Sequence, residues 1–330
     1  MTNDMAALAP LKEETVSASP EWGAASPIWF ESRRPMSLGL MVPIRERTLG
    51  GDTPRFADLV AVATTAREAG FEALWFGDHF TMGDGDAMTG AWEAWTMMAA
   101  VAARVPDIQI GPLVSCTGFR NPGLIAKMTE SLDEISGGRF VLGLGAGWNA
   151  TEYRQFGYPF DFRASRFEES IQIVRSMLRH GTADLQGRFW QANDAVNQPR
   201  GPRPEGAPLL VGTNGERLLG SVARYADAWN SDWENDPATM ATLIARVDAA
   251  CEAIGRSPST LVKTGSARFA MDERVGGQTD LIAGTVDEMA GRLVAFQDLG
   301  VRHLVCGLEP RTVPGIADFG EVIACFDARA

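Results

Sequence analysis

The amino-acid sequence predicts one α/β domain built as a TIM-type (β/α)8 barrel, and three observations carry that prediction. From Met36 onward, short apolar runs alternate with helix-period patterns, the signature of parallel βα units. Eight such units fit between residues 36 and 330, close to the length of about 250 residues plus insertions typical of the barrel. The rhythm breaks once, over residues 181–207, where Gly, Gln, Asn and Pro dominate, so this stretch reads as an insertion within the domain. A doubly wound sheet is the runner-up. Residues 1–35, rich in Ala, Ser, Pro and Glu and without periodicity, read as a flexible arm outside the single domain of 36–330.

The first strand is read over residues 37–42. A helix follows with Phe56, Leu59, Val60 and Ala63 on one face and Gly70 as its stop. Residues 71–76 give the second strand, 92–105 the second helix and 108–115 the third strand. Asn121-Pro122 then opens a helix as cap and first-turn residue; its expected core face is Leu124, Ile125, Met128, Leu132 and Ile135, and Gly137-Gly138 ends it. Strand four is residues 140–144, and Phe167, Ile171, Val174 and Leu178 mark the fourth helix. Within the insertion only Phe189-Trp190 suggests a strand. Strands five to eight are read at 208–211, 227–231, 261–269 and 301–306, and Thr285-Val286-Asp287-Glu288 is a capping box opening a late helix.

Composition removes several function classes. Thirty basic against 42 acidic side chains give a net charge of −12, the wrong sign for a surface that neutralises many phosphates, so no nucleic-acid partner is expected. Cys116, Cys251, Cys306 and Cys325 form no C-x-x-C pair, and His79, His180 and His303 lie far apart, which argues against a disulfide framework and a metal site. No apolar run approaches a membrane span, and the N-terminal segment carries Asp4, Lys12, Glu13 and Glu14 where a secretory signal would be apolar. The expected setting is cytoplasmic, without a membrane partner; the expected assembly is a homodimer.

In a (β/α)8 enzyme the reacting groups sit where strands run into the following loops. That rule singles out Asp78-His79-Phe80 at the end of strand two, and histidine is the side chain most easily tuned for proton transfer near neutral pH. His180 reads as a helix-end cation and His303 as a strand residue. Strand four ends in Gly143-Leu144-Gly145-Ala146-Gly147-Trp148, too small in side chain to fill a barrel mouth; a flat ligand or a closely packed helix would fill the space. Gly145 to Ala150 also satisfies G-x-G-x-x-A, but the acidic residue a dinucleotide site needs at a second strand end is missing, because residues 162–180 read as helix. Glu152 is read as a structural ion-pair partner of Arg163 or Arg166. Strand five runs through Thr213, Asn214, Gly215, Glu216 and Arg217 into a helix near Leu218, an arrangement that can seat an anion. Trp92 and Trp95 are read mainly as packing.

These segments, together with Asn121-Pro122 through Leu132-Asp133-Glu134-Ile135-Ser136-Gly137-Gly138-Arg139-Phe140 to Glu152, Ala73 through Phe80, and Ala223-Arg224-Tyr225-Ala226-Asp227-Ala228-Trp229, resemble the bacterial luciferase-like monooxygenase family. The likeness runs from Leu38 to about Leu308 and is strongest toward the branch of oxidoreductases that use the deazaflavin coenzyme F420. The resemblance implies a flavin or deazaflavin ring in the barrel mouth beside Asp78 and His79. It further implies a bulge at Leu113-Val114 with a non-proline cis peptide behind the ring, and Ser115, Cys116 and Thr117 lining the pocket. Ala146, Gly147, Trp148 and Thr151, with the turn Asn214, Gly215, Glu216, Arg217 and Leu218, would hold the ribityl-phosphate tail. Deazaflavin sugar-phosphate dehydrogenases of the family carry a glutamate where this chain has Trp148, so sugar-phosphate oxidation is not expected and the pocket is more apolar. Gly77 replaces the serine of many relatives, with little expected consequence.

The resemblance and the strand-end histidine converge on hydride transfer between F420 and a small organic substrate, with His79 as acid/base and Asp78 orienting it or touching the ring. The alternatives are an FMN-dependent monooxygenase fed reduced flavin and oxygen and, from another class, a flavin-binding barrel without turnover.

Overall fold

A computed structural model describes residues 32–270 and 281–329. Eight parallel strands form the barrel: β1 (Ser37–Met41), β2 (Ala73–Phe76), β3 (Gln109–Pro112), β4 (Leu142–Gly145), β5 (Leu209–Gly212), β6 (Ala228–Trp233), β7 (Val262–Ala270) and β8 (His303–Glu309). Their lateral order is β3-β2-β1-β8-β7-β6-β5-β4. The ring closes through the third strand, which pairs with β2 through Gln109–Pro112 and, beyond a bulge, with Leu144 and Gly145 of β4 through Ser115–Cys116. A further bridge from Ile110 to Phe140 supports the closure. The helices outside are α1 (Phe56–Ala69), α2 (Ala94–Arg104), α3 (Pro122–Ser136), α4 (Ala150–Phe156), α5 (Arg163–His180), α6 (Glu216–Tyr225), α7 (Pro237–Glu252), α8 (Val286–Asp298) and α9 (Val313–Asp327). Among the described residues no helix is long and apolar enough to cross a membrane.

Local chemistry sets the boundaries much as the sequence suggests. Gly70 and Gly137 take left-handed conformations that end α1 and α3, Asn121 accepts from Gly123 and Leu124 at the start of α3, and Thr285 and Glu288 form the capping box of α8. Phe167, Ile171, Val174 and Leu178 all face the core from α5. The face of α3 differs from expectation: Leu124 and Ile135 are exposed, while Thr129, Glu130 and Asp133 are buried with Ile125 and Leu132. The reason lies in the insertion, whose return segment places Arg200 on Glu130 at 2.8 Å and Arg203 on Asp133 at 3.1 Å, so the inward face is partly ionic.

The insertion itself is a two-stranded hairpin, Thr182–Gln186 against Gln191–Val196. Phe189-Trp190, expected as its strand, forms the turn instead. Backbone N–H groups of Arg188, Phe189 and Trp190 all donate to the Glu169 carboxylate at 2.8–2.9 Å, and the hairpin strands are mostly polar, which hides them from an apolar-run reading. The arm expected over residues 1–35 lies outside the described residues as far as residue 31. Its last part is anchored: Arg34 donates to Asp327 at 2.8 Å and to the Gly70 carbonyl at 3.0 Å.

At the N-terminal end of the barrel, His303 is fully enclosed. Trp75 Nε1 donates to its Nε2 at 2.8 Å, which leaves the proton on Nδ1, 2.7 Å from the Ser37 hydroxyl. Burial pushes the imidazole down to about 3. The unfolded chain therefore binds a proton between pH 6.5 and 3 that the native chain does not. The stability held above about pH 6.5 is lost as the pH falls, at up to about 1.4 kcal/mol per unit. Urea titrations at pH 7.5 and 5.0 should show a loss of stability in the wild type that exceeds the loss in His303→Gln by about 2 kcal/mol; parallel losses would clear the imidazole of any part in the acid sensitivity.

Candidate active site at the barrel mouth

His79 follows β2 and is about a quarter exposed, and its Nδ1 lies 3.0 Å from Oε2 of Glu152 on α4. Glu152 is sealed from solvent: its side chain is 1% exposed. Its other oxygen accepts the backbone N–H groups of Phe80 and of Thr81, the latter at 3.1 Å. Asn149 ties the same corner together, accepting from Glu152 N and donating to the Thr81 carbonyl. A carboxylate held by two backbone donors cannot rotate freely, so the imidazole it touches is oriented as well. Glu152 pairs with His79, not with the arginines: Arg163 donates to the Gly147 carbonyl at 2.5 Å, and Arg166 pairs with Asp161. Behind the pair, Phe80 stacks on Phe119 at 4.8 Å and leans on Phe156 at 4.6 Å, while Trp148, 62% exposed, presents an edge-on contact to His79 at 5.6 Å.

Asp78 serves a different end from the one expected. Its carboxylate is buried and occupied: Arg120 grips both oxygens at 2.6 and 3.0 Å, and Oδ2 also accepts from Ser115 Oγ and from Cys116 N. It neither orients His79 nor reaches the open mouth. Burial would lower the charge affinity of Arg120, but the Asp78 carboxylate beside it, helped by Glu93, outweighs that and raises it. Ser115, Cys116 and Thr117, expected along the pocket wall, are all buried. The Ser115 hydroxyl links Trp95 Nε1 to Asp78, Thr117 bonds the Gly145 carbonyl, and Cys116 Sγ lies 3.0 Å from Tyr153 Oη. The Cys116 thiol is pushed up to about 12 by burial, so it is a poor nucleophile. All three are thus taken up by hydrogen bonds within the buried layer.

The Leu113-Val114 peptide is cis, as the resemblance implied, and both side chains are half-buried. Glycines surround the bulge. A Cβ at Gly145 would come within 2.5 Å of Val114 Cγ2 and one at Gly212 within 2.8 Å of Val114 Cγ1, and one at Gly143 would meet the Pro112 carbonyl at 2.1 Å. The missing side chains at Gly145 and Gly212 thus make room for Val114, and that at Gly143 for the Pro112 carbonyl. Across the mouth, Gly215 caps α6 with no side-chain bond, so the first-turn N–H groups of Glu216 and Arg217 have no intrahelical acceptor. Gly215 N is bonded to Thr213 Oγ1, and the Arg217 guanidinium is paired with both oxygens of Glu168 at 2.8–2.9 Å, which removes most of the free charge expected from it. Ala146, Gly147 and Thr151 are half-buried around the start of α4.

Residues 36–275 match the family described as luciferase-like monooxygenase. The chain belongs to this family. Among curated relatives it is similar to an F420-dependent glucose-6-phosphate dehydrogenase of Amycolatopsis mediterranei, 33% identical over 174 residues, 51% of this chain and 50% of that protein. It is equally similar to the pyrimidine monooxygenase RutA of Cronobacter sakazakii, 32% identical over 178 residues, 52% of this chain and 51% of that protein. The chain thus spans about half the length of the curated relatives it matches. Among solved structures, an F420-dependent secondary alcohol dehydrogenase superposes with a TM-score of 0.76 at 18% identity, covering 89% of this chain and 99% of its own. The EDTA monooxygenase EmoA from Chelativorans sp. BNC1 gives 0.77 at 16% identity, covering 90% and 94%. At such identities these structures establish the luciferase-like barrel fold only.

Two charged groups in and behind this luciferase-like site escaped the sequence reading. Arg120 sits in the loop after the third strand and had no motif to mark it. Glu152 was read as the partner of an arginine because its true partner lies 73 residues earlier in the chain.

Proposed function

We propose that this luciferase-like enzyme transfers a hydride between coenzyme F420 and a small organic substrate, with His79 as the proton relay. The observation that carries the reading is the His79–Glu152 pair, held just beyond the end of β2. The fit of the cofactor is supported by the half-buried bulge, a low platform for a flat ring, and by the uncapped start of α6, whose free N–H groups suit a phosphate. Leu113 and Val114 would back the ring, and Ala146 to Thr151 with Asn214 to Leu218 would hold the tail. Bound there, the deazaflavin supplies the carbon that gives or takes the hydride.

The protein's own part is proton management. With His79 Nδ1–H donating to Glu152, the neutral ring keeps Nε2 as a proton acceptor; protonated, the same nitrogen donates, and Glu152 stabilises the charge. Phe80, packed on the buried Phe119, limits water behind the pair. Arg120 and Asp78 fix the base of the loop from which His79 projects.

An FMN-dependent monooxygenase is the second reading, favoured by the likeness to pyrimidine monooxygenases. Fluorescence titration of the purified chain with oxidised F420 and with FMN separates the two. Saturable F420 binding at least about tenfold tighter than FMN binding is expected. FMN binding with none of F420 would move the protein to the monooxygenase reading.

A further inference from the structure

The helix α4, which carries Glu152, has seven residues. A helix that short has little stability of its own, so its orientation is set by what it is tied to. Its anchors at Asn149, Glu152 and Gln155 lead back to the loop that bears His79. Asn149 donates to the Thr81 carbonyl, Glu152 accepts from Phe80 N and Thr81 N, and Gln155 Oε1 accepts the Thr81 hydroxyl at 2.8 Å. Such bonds travel with that loop and cannot fix it. Among the described residues Tyr153 is the α4 side chain whose hydrogen bonds run to the barrel strands instead. Its Oη donates at 3.0 Å to the carbonyl of Ala146, the residue after β4, and lies 3.0 Å from Sγ of Cys116 on the third strand.

The hydroxyl is closely seated. A Cβ on Gly118 would come within 2.2 Å of Tyr153 Oη, and one on Gly147 within 2.4 Å of it and 2.6 Å of Cys116 Sγ. Phe119 and Phe160 pack on the ring at 5.0 and 5.2 Å. A phenyl ring would fill the same space; the hydroxyl alone adds the two bonds. Burial, reinforced by the neighbouring thiol, pushes the phenol up, so it stays O–H and donates to Ala146. Successive helical side chains point about 100° apart, so one turn of α4 sends Tyr153 to the wall and Glu152 to His79. A slip of that turn would carry the carboxylate off the imidazole, because hydrogen bonds weaken steeply outside their narrow range of distance and angle.

We propose that Tyr153 is a positioning residue: its hydroxyl, lodged between Cys116 and the Ala146 carbonyl, fixes α4 against the barrel and thereby holds Glu152 on His79 Nδ1. The consequence for turnover rests on the reading of His79 as the proton relay; the positioning itself does not.

The tautomer of His79 reports the contact without substrate or cofactor. An ionised carboxylate only accepts, so Glu152 in place keeps the hydrogen of the neutral ring on Nδ1. Nitrogen-15 NMR of the full chain with labelled histidine, at about pH 9 where imidazoles are neutral, measures the ratio of Nδ1–H to Nε2–H. His79→Gln identifies the signal. Glu152→Ala sets the scale, lowering the ratio by about tenfold or more. Tyr153→Phe should lower it by at least about threefold. Gly118→Ala, which keeps the hydroxyl but denies it its seat, should do the same and covers the case in which Tyr153→Phe does not fold. Asn121→Ala, which removes the cap of α3, should lower stability without moving the ratio. An unchanged ratio in folded Tyr153→Phe, in Gly118→Ala or in Glu152→Ala would overturn the proposal. So would an equal shift in Asn121→Ala, because loss of stability alone would then account for it. Turnover of His79→Ala is read separately. If it stays near normal while the tautomer follows Tyr153, the relay is refuted and the positioning stands.

Discussion

Replacing His79 with alanine is expected to lower turnover by about 10²–10⁴-fold, the usual contribution of a positioned acid or base, while cofactor affinity stays within a few-fold. The two effects separate because the imidazole is the group proposed to face the reacting atoms, whereas the groups proposed to hold the cofactor, the Leu113-Val114 bulge and the start of α6, lie on other βα units. Glu152→Gln supplies the companion measurement. It keeps the shape but weakens the charge that stabilises the imidazolium, so the pH–rate profile should move while cofactor binding does not. Single-turnover kinetics with saturating cofactor decide the matter. Near-normal turnover in His79→Ala would remove it as the relay, and an unmoved profile in Glu152→Gln would reduce that carboxylate to a structural anchor.

The largest expected effect on stability belongs to Asp78. Its side chain is 1% exposed and that of its partner Arg120 9%, so the ion pair is largely withdrawn from water. Removing the carboxylate strands a buried guanidinium whose remaining partner, Glu93, is 39% exposed. Asp78→Ala should therefore cost about 3–5 kcal/mol. Asp78→Ala combined with Arg120→Met should recover much of that loss, because an apolar replacement removes the stranded charge. Urea titrations of the two variants measure both terms. A loss below about 1 kcal/mol in the single variant would mean that water reaches Arg120 once the carboxylate is gone.

The barrel was legible in the sequence because most of its strands are short, largely apolar runs between a turn residue and a helix-period pattern. That information is local. Residues 71–76 and 261–269 could be read without knowing their neighbours, and Gly70, Asn121 and Thr285 announce helix ends through their own chemistry. The features that were missed are non-local. Nothing near Glu152 in sequence indicates His79, and nothing near Glu130 or Asp133 indicates that Arg200 and Arg203 will turn part of α3 into an ionic face. The glycines of β4 were recognised as unusual, yet the object they accommodate, Val114, comes from the neighbouring strand. Asp78 and His79 were correctly placed at a strand end, but adjacent residues on an extended segment point to opposite sides. One therefore anchors Arg120 in the interior while the other meets Glu152 at the mouth.

The origin of that pair in two separate βα units also bears on how members of this family can be recombined. His79 is delivered by the second unit and Glu152 by the fourth, with the whole third unit between them, while Asp78 reaches Arg120 inside that third unit. Any chimera with a single crossover between residues 80 and 120 inherits both contacts from mixed parents, and one between 120 and 152 still splits the imidazole from its carboxylate. Exchange of segments before β2 or beyond α4 leaves the assembly intact. Residues 73–156 thus form the smallest heritable block of whole elements that carries the relay.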